Sequence, residues 1–212
     1  PLILAPDRSK LSKRHGAVST TEYRDKGFLP EALINYLALL GWNPGTNQEL
    51  FSLDELISAF DLRKVQKGGA IFSEEKLRWI NKEYLKKKFT SVEIIKHAPN
   101  TFTSGKNAIQ LSALASMLFE RVMVWDDVPK DLAGVFSYLV STPMLDVAKL
   151  PWKGESPTAV SEHLRTVQKL LEPISQDEFS KEPIAKALEA YLQATGKGNV
   201  LWPMRFSLSG AE

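Results

Sequence analysis

The pattern of apolar and polar positions along the chain is mostly helical. In "LPEALINYLALLG" the residues Leu33, Leu37 and Leu40 share one helical face, Pro30 suits a first helical turn, and Gly41 is a stop signal. No segment shows two alternating runs joined by a tight turn, the pattern that predicts a strand hairpin. The sequence therefore predicts a mainly α protein.

Serine caps indicate where three further helices begin. Ser52 is followed three residues later by Glu55, a capping box that satisfies free backbone donors at a helix start. Ser73 precedes "EEKLRWINKEYLKK", and Ser156 precedes Pro157 and "TAVSEHLRTVQKLLE". We expect one helix to begin after each of these serines.

The second half of the chain also has helical periodicity. We expect helices across "NAIQLSALASMLFERVMVW", from Pro129 through "DLAGVFSYLV", and from Pro183 to Gln193, where "TGKGN" ends the last clear one. The segment "PWKGESP" (residues 151–157) has the composition of an interior linker.

Composition excludes some classes of protein and leaves others open. Hydrophobic residues make up 43% and charged residues 25% of the chain, as in ordinary globular proteins. There is no cysteine, and His15, His97 and His163 lack the spacing of metal ligands, so no metal site is predicted. No apolar run is long enough to span a bilayer. The net charge of +2 is too small to predict a nucleic-acid partner by itself.

A basic segment near the start, "RSKLSKRHG" (residues 8–16), is the first candidate site. It lacks an apolar period, and Ser9 and Gly16 bracket it, so we expect a loop. Mobile lysines can contact a polyphosphate and stabilise charge that develops on transferring phosphoryl oxygens. The alternative is a solvated basic loop without a ligand, because such clusters have low specificity.

The order of residues in this segment resembles a known family. Residues 10–14, "KLSKR", are similar to the KMSKS-type loop of class I aminoacyl-tRNA synthetases. The segments that follow resemble bacterial glutamyl-tRNA synthetases: "HGAVSTTEYRDKGFLPEALINYLALLGWNPG", "KGGAIFSEEKLRWINKEYL", "ERVMVWDDVP" and "GKGNVLWPMRFSLSG".

The resemblance implies roles for the loop residues. In that family the loop closes over ATP during glutamate activation, so Lys13 would stabilise the phosphates with support from Lys10, and Ser12 would also contact ATP. Mg²⁺ would accompany ATP. Because neither a nucleotide-binding half nor a HIGH-type motif precedes Pro1, we expect this polypeptide alone to be inactive in aminoacylation.

The same resemblance implies tRNA-binding residues. Arg121 corresponds to the arginine that reads the third anticodon base, a cytosine, in enzymes that discriminate glutamate from glutamine tRNA. Trp202 and Arg205, in "LWPMRF", would contact the first or second anticodon base by stacking and hydrogen bonding. The alternatives are an exposed helix arginine at position 121 and a core tryptophan at position 202.

The expected organisation is a stem-contact helical domain followed by an all-α anticodon-binding region. Residues 1–88 would hold the KLSKR loop and the stem-contact domain, with Lys67, Lys82 and the lysines of 86–88 as phosphate contacts or simply as a solvated helix end. Residues 89–150 and 151–212 would be two anticodon-binding subdomains, the second truncated at its C-terminus.

The function that the resemblance implies is that of a tRNA-binding C-terminal fragment of a glutamate–tRNA ligase. Its partners would be tRNA(Glu), with ATP and glutamate in the parent enzyme and no membrane, and it would be a monomer in the cytoplasm, an organelle being the alternative. Two other functions stay open. The fragment could be a helical interaction module without tRNA affinity, or part of an enzyme that also charges tRNA(Gln), although Arg121 argues against the latter.

Overall fold

The computed structural model describes residues 2–12 and 19–210, and this part of the chain is mainly helical, as predicted. The α-helices in chain order are α1 (Thr20–Asp25), α2 (Pro30–Leu39), α3 (Leu53–Ala59), α4 (Glu74–Lys88), α5 (Asn100–Thr103), α6 (Ala108–Arg121), α7 (Asp127–Ala133), α8 (Pro157–Leu171), α9 (Lys181–Thr195) and α10 (Lys197–Ser209). Short 3-10 helices lie at Leu62–Lys64, Ser91–His97, Ser137–Leu139, Val147–Lys149 and Gln176–Glu178.

Two short strands join the start of the chain to the segment before α4. Strand β1 (Ile3–Leu4) pairs in parallel with β2 (Ala70–Ile71), with Leu4 opposite Ile71. Leu4 also forms an antiparallel bridge with Lys10, because the chain turns back after β1. The basic loop therefore begins beside β1.

The serine caps form as the sequence predicts. The Ser52 side chain accepts a hydrogen bond from the Glu55 amide, and the Glu55 carboxylate accepts one from the Ser52 amide at 2.6 Å. Ser73 and Ser156 accept from the amides three residues on, at the starts of α4 and α8. Each cap satisfies donors that have no partner inside the helix, which is why these helices begin where they do.

The structure corrects two of the predicted helices. The helix expected across residues 107–125 ends at Arg121, because the amides of Met123 and Val124 donate to the Asp127 carboxylate instead of to helix carbonyls. The next helix, α7, begins at Asp127 rather than at Pro129. It ends at Ala133, well before Val140, where we expected it to continue.

The structure also contains a helix that the sequence pattern does not predict. Gly196, with φ of 91°, ends α9, and α10 starts at the next residue and runs through Pro203 to Ser209. Glycine adopts a positive φ at almost no cost, so Gly196 can end α9. Because a new helix starts at the next residue, the "TGKGN" segment stops α9 only. The predicted Pro183–Gln193 helix extends by two residues at each end.

The chain forms two compact units, residues 1–132 and 133–212. In the first unit, α2 packs against α4, and Trp42, Phe51 and Leu56 form a buried cluster. In the second unit, α8, α9 and α10 pack together through Val167, Leu188 and Val200. The three-part division at residues 88 and 150 remains a prediction.

Candidate nucleic-acid interface

Arg121 lies at the C-terminal end of α6, where the backbone is held in place. The Val122 amide makes the last helical hydrogen bond, to the Leu118 carbonyl at 2.9 Å. The Lys82 ammonium, from α4, donates to the Glu120 carbonyl at 2.6 Å. A cation on a terminal carbonyl also offsets the negative end of the helix dipole, so this helix end has a defined position.

The Arg121 side chain points to the surface and makes an ion pair with α7. Its Nε donates to Asp131 Oδ2 at 3.3 Å, and the two side chains are 49% and 24% exposed. The guanidinium is therefore oriented by a neighbouring helix and also accessible to a ligand. An arginine that is both oriented and accessible can recognise a base edge, whereas an arginine buried in the core cannot.

The segment after α6 is anchored by a buried asparagine. Asn81 is fully buried; its Oδ1 accepts from the Leu29 amide at 2.7 Å, and its Nδ2 donates to the Met123 carbonyl at 2.5 Å. One side chain of α4 thus binds both the N-cap residue of α2 and the segment that follows Arg121. Because buried backbone groups need partners, this asparagine fixes both segments at once.

A half-buried carboxylate holds the start of α7. Asp127 accepts two hydrogen bonds at 2.8 Å from Arg78 and two from the amides of Met123 and Val124. Burial acts to raise the pKa of Asp127, but Arg78 and the two amides outweigh burial, so the pKa lies below its usual value. The carboxylate is charged at neutral pH and caps the segment electrostatically.

An aromatic stack includes Trp125, which belongs to this segment. The rings of Trp125 and His97 are parallel, with centroids 4.0 Å apart, and Phe89 meets Trp125 edge-on. Burial, followed by the charge of Lys96, lowers the pKa of His97 below its usual value. The neutral ring therefore stacks on Trp125 at physiological pH.

The lysines named as phosphate contacts divide into two groups. Lys82, Lys86 and Lys88 contact protein oxygens, namely the Glu120 carbonyl and the Glu83 and Glu31 carboxylates. Lys67 and Lys87 are exposed, as are Lys86 and Lys88, whereas Lys82 is half-buried. Lys82, Lys86 and Lys88 contribute to structure at the end of α4, and Lys67 and Lys87 suit phosphate contact better.

Trp202 and Arg205 both lie on α10 in the second unit. The half-buried Trp202 donates its indole N–H to the Lys149 carbonyl at 2.9 Å, and its ring lies 5.2 Å from Trp152 and 6.3 Å from Phe206. These contacts are those of a packed side chain whose single donor is used within the protein. Arg205 is exposed on the same helix.

The segment 151–157 contributes to this part of the surface, which its linker-like composition did not indicate. Trp152 packs on α10 where Gly198 leaves room; a Cβ at Gly198 would lie 2.3 Å from the Trp152 Nε1. The Lys153 ammonium lies 5.3 Å from the centre of the Trp152 ring. An aromatic ring beside lysines is a common feature of RNA-binding surfaces.

The KLSKR loop is described only in part. Lys10 is exposed and follows the tight turn in which the Asp7 carboxylate accepts from the Ser9 amide and hydroxyl. Ser12 is half-buried, and Lys13 lies outside the described residues. No group of three or more potential metal ligands occurs in residues 2–12 and 19–210, and no helix among them is long and apolar enough to span a membrane.

Comparisons with known sequence families give the chain a place among tRNA synthetases. Residues 1–79 match the catalytic domain of class I tRNA synthetases for E and Q. Residues 75–212, well over half of the chain, match the anticodon binding domain. The chain belongs to the anticodon binding domain family.

Individual relatives of this anticodon binding domain protein are glutamate–tRNA ligases. The enzyme of Clostridium botulinum (strain Eklund 17B / Type B) is 34% identical over 99% of this chain, and that of Desulforudis audaxviator (strain MP104C) is 62% identical over 40% of it. A solved glutamate tRNA ligase from Elizabethkingia meningosepticum CCUG26117, in complex with its amino acid, superimposes with a TM-score of 0.69 at 32% identity over 99% of this chain. The resemblance to glutamyl-tRNA synthetases seen in the sequence is confirmed.

The chain spans 43% and 44% of the lengths of the Clostridium and Elizabethkingia proteins, which it matches along nearly its whole length.

For this anticodon binding domain family member, sequence motifs indicated Arg121, Trp202 and Arg205. They did not indicate Asn81, Asp131 or Trp152, because the partners of these residues lie on other elements and no short spacing records them.

Proposed function

We propose that this chain is the tRNA-binding part of a glutamate–tRNA ligase that joins glutamate to tRNA(Glu) with the energy of ATP. The observation that supports this most directly is the half-exposed Arg121, oriented by Asp131, within a segment that matches an anticodon binding domain. In this proposal the protein acts as a monomer in the cytoplasm.

Arg121 reads the third anticodon base by its donors. The Watson–Crick edge of cytosine presents two acceptors, N3 and O2, and one donor, the N4 amino group, whereas the same edge of guanine presents one acceptor and two donors. A guanidinium, which only donates, can donate to two adjacent acceptors on this edge of cytosine but to one on this edge of guanine, so it favours cytosine. This chemistry separates glutamate tRNAs from glutamine tRNAs and argues against an enzyme that charges both.

Arg205 contacts another anticodon base, and Trp202 holds the surface on which that base lies. The indole N–H of Trp202 is used by the Lys149 carbonyl, so its contribution is stacking and support rather than a hydrogen bond to RNA. Residues 1–88 contact the tRNA stem through phosphates, with Lys67 and Lys87 as the accessible cations.

The KLSKR loop serves the ATP step of the parent enzyme. Lys13 and Lys10 neutralise phosphate charge, Ser12 donates a hydrogen bond, and Mg²⁺ accompanies the nucleotide. A loop that supplies charge alone positions neither ATP nor glutamate, so we expect the 212-residue chain to bind tRNA without aminoacylating it.

The test is a fluorescence anisotropy titration of the chain with a labelled glutamate tRNA transcript at 50 and 200 mM salt. Phosphate-dominated binding weakens with salt, by about tenfold or more over this range. A matched transcript with guanine as the third anticodon base should bind more weakly. Absence of binding at either salt concentration would favour the interaction-module function instead.

A further inference from the structure

Asp131 is an acidic residue that pairs with Arg121 on the surface proposed to bind tRNA. We propose that Asp131 is a positioning residue, which orients Arg121 for the third anticodon base and so contributes to the choice between cytosine and guanine. This inference rests on the proposed function, since it needs Arg121 to contact RNA.

The atom that Asp131 binds is the first argument. Asp131 Oδ2 accepts from Nε, the inner nitrogen of the guanidinium. Recognition of a base by arginine uses the paired outer N–H groups at the end of the side chain. Binding by Asp131 and binding to a base edge are therefore compatible, and the first fixes the plane in which the second occurs.

The rigidity of Asp131 is the second argument. It lies on α7 beside Leu132 and one turn after Val128, both of which are fully buried. The first residue of α7, Asp127, is held by Arg78 through two hydrogen bonds of 2.8 Å. A carboxylate on an element fixed at its start and along its buried face can restrict the rotamers of a long partner side chain.

The fixed backbone at Arg121 is the third argument. Lys82 holds the Glu120 carbonyl, and Asn81 holds the Met123 carbonyl, on either side of Arg121. With the backbone held on both sides and Nε bound by Asp131, the Arg121 side chain has less rotational freedom to lose on binding. Ordering a flexible side chain at an interface costs about two- to tenfold in affinity, and we expect Asp131 to remove that cost in advance.

The chain offers a matched control for the loss of negative charge. Asp126 is close in sequence and forms an ion pair with Lys130 at 2.6 Å. Replacing either aspartate by alanine removes one surface carboxylate and one ion pair. Only Asp131→Ala removes the contact with Arg121.

The experiment measures the ratio of dissociation constants for two glutamate tRNA transcripts that differ only in cytosine or guanine as the third anticodon base. Arg121→Gln should reduce this preference by at least about fivefold. Asp131→Ala should reduce it by about two- to tenfold. Asp131→Asn should retain most of it, because the amide oxygen still accepts from Nε, and Asp126→Ala should leave it unchanged.

A double variant separates an effect through Arg121 from an independent one. If Asp131 acts by orienting Arg121, the Arg121→Gln, Asp131→Ala double variant shows the same preference as Arg121→Gln alone. Exposed ion pairs contribute little to stability, so the thermal midpoint of Asp131→Ala should stay close to that of the unmodified chain.

Three results would overturn the inference. If Arg121→Gln lowers the preference and Asp131→Ala does not, the proposed function stands and the positioning role is wrong. If Asp131→Ala and Asp126→Ala tighten binding of both transcripts equally, Asp131 acts only through its charge. If the unmodified chain binds neither transcript, the proposed function fails and the positioning role fails with it.

Discussion

Gly27 lies where α1 ends and the segment after α6 passes. It ends α1 in a left-handed turn with φ of +81°. The Phe28 amide donates to the Tyr23 carbonyl at 3.0 Å and the Gly27 amide to the Arg24 carbonyl at 2.8 Å. This hydrogen-bond pattern is a Schellman motif, in which glycine avoids the steric cost that other residues have.

The cost of a methyl group at this position has two parts. A left-handed backbone costs alanine about 1–2 kcal/mol relative to glycine. A Cβ at Gly27 would also lie 2.5 Å from the Cβ of Trp125 and 2.9 Å from its amide nitrogen. Forced overpacking of this kind adds about 1–3 kcal/mol, so we expect Gly27→Ala to destabilise the protein by about 2–5 kcal/mol.

Gly45 provides a control with a similar positive φ. Its φ is +87°, and no atom lies within 4 Å of the position that a Cβ would take. Gly45→Ala should therefore cost only the backbone part, about 1–2 kcal/mol. The difference between the two variants isolates the close approach of Gly27 and Trp125.

Differential scanning calorimetry measures both variants. At about 2–4 °C per kcal/mol for a chain of this size, Gly27→Ala should lower the thermal midpoint by about 4–20 °C, and Gly45→Ala by clearly less. Equal shifts for the two variants would show that Trp125 does not restrict Gly27 and would refute the packing described for this segment.

Two further predictions concern the side chains that hold the same segment. Asn81→Ala leaves the Leu29 amide and the Met123 carbonyl without their partner and should destabilise the protein by about 2–4 kcal/mol in urea unfolding. Asp127→Asn loses the charge paired with Arg78 and should cost about 1.5–3 kcal/mol at neutral pH. The pKa of Asp127 is lower in the folded protein than in the unfolded chain. The stabilisation of the folded protein by charged Asp127 is therefore fully present above about pH 4 and is lost as the pH falls through the pKa of the folded state. The variant should therefore lose less stability than the unmodified chain on acidification below pH 4.

Exposed residues of the same types are the controls for these two variants. Asn47→Ala should change stability by less than about 0.5 kcal/mol, because Asn47 lies on the surface. Asp126→Asn removes an exposed ion pair with Lys130 and should have a similarly small effect. An Asn81→Ala variant as stable as Asn47→Ala, or parallel acid profiles for Asp127→Asn and the unmodified chain, would contradict the assigned contacts.

Local signals in the sequence were sufficient for much of the fold. The capping box of Ser52 and Glu55 and the cap at Ser73 act within three residues, so the sequence alone locates the starts of α3 and α4. The end of α6 was not predictable in this way. The apolar run after Arg121 suits a helix, but Asp127 and Asn81, from outside that run, take its backbone groups.

The candidate site was predictable where motifs carry it. Arg121 and Arg205 are predictable from family-like segments, whereas Asp131 is ten residues from Arg121 in sequence and reaches it only because the chain turns between α6 and α7. The composition around Trp152 predicts a linker, whereas its packing partner, Gly198, is distant in sequence and lies on α10. Contacts of this kind depend on tertiary structure and leave no local pattern.

The central claim, that the chain binds the anticodon region of a glutamate tRNA, is tested most directly by hydroxyl-radical footprinting of the tRNA in its complex with the 212-residue chain. We predict protection of the anticodon loop and of the inner side of the L-shaped molecule, with the protection of the ribose of the third anticodon nucleotide reduced in Arg121→Gln. Protection confined to the acceptor end, or no protection under conditions in which the chain is folded, would contradict it.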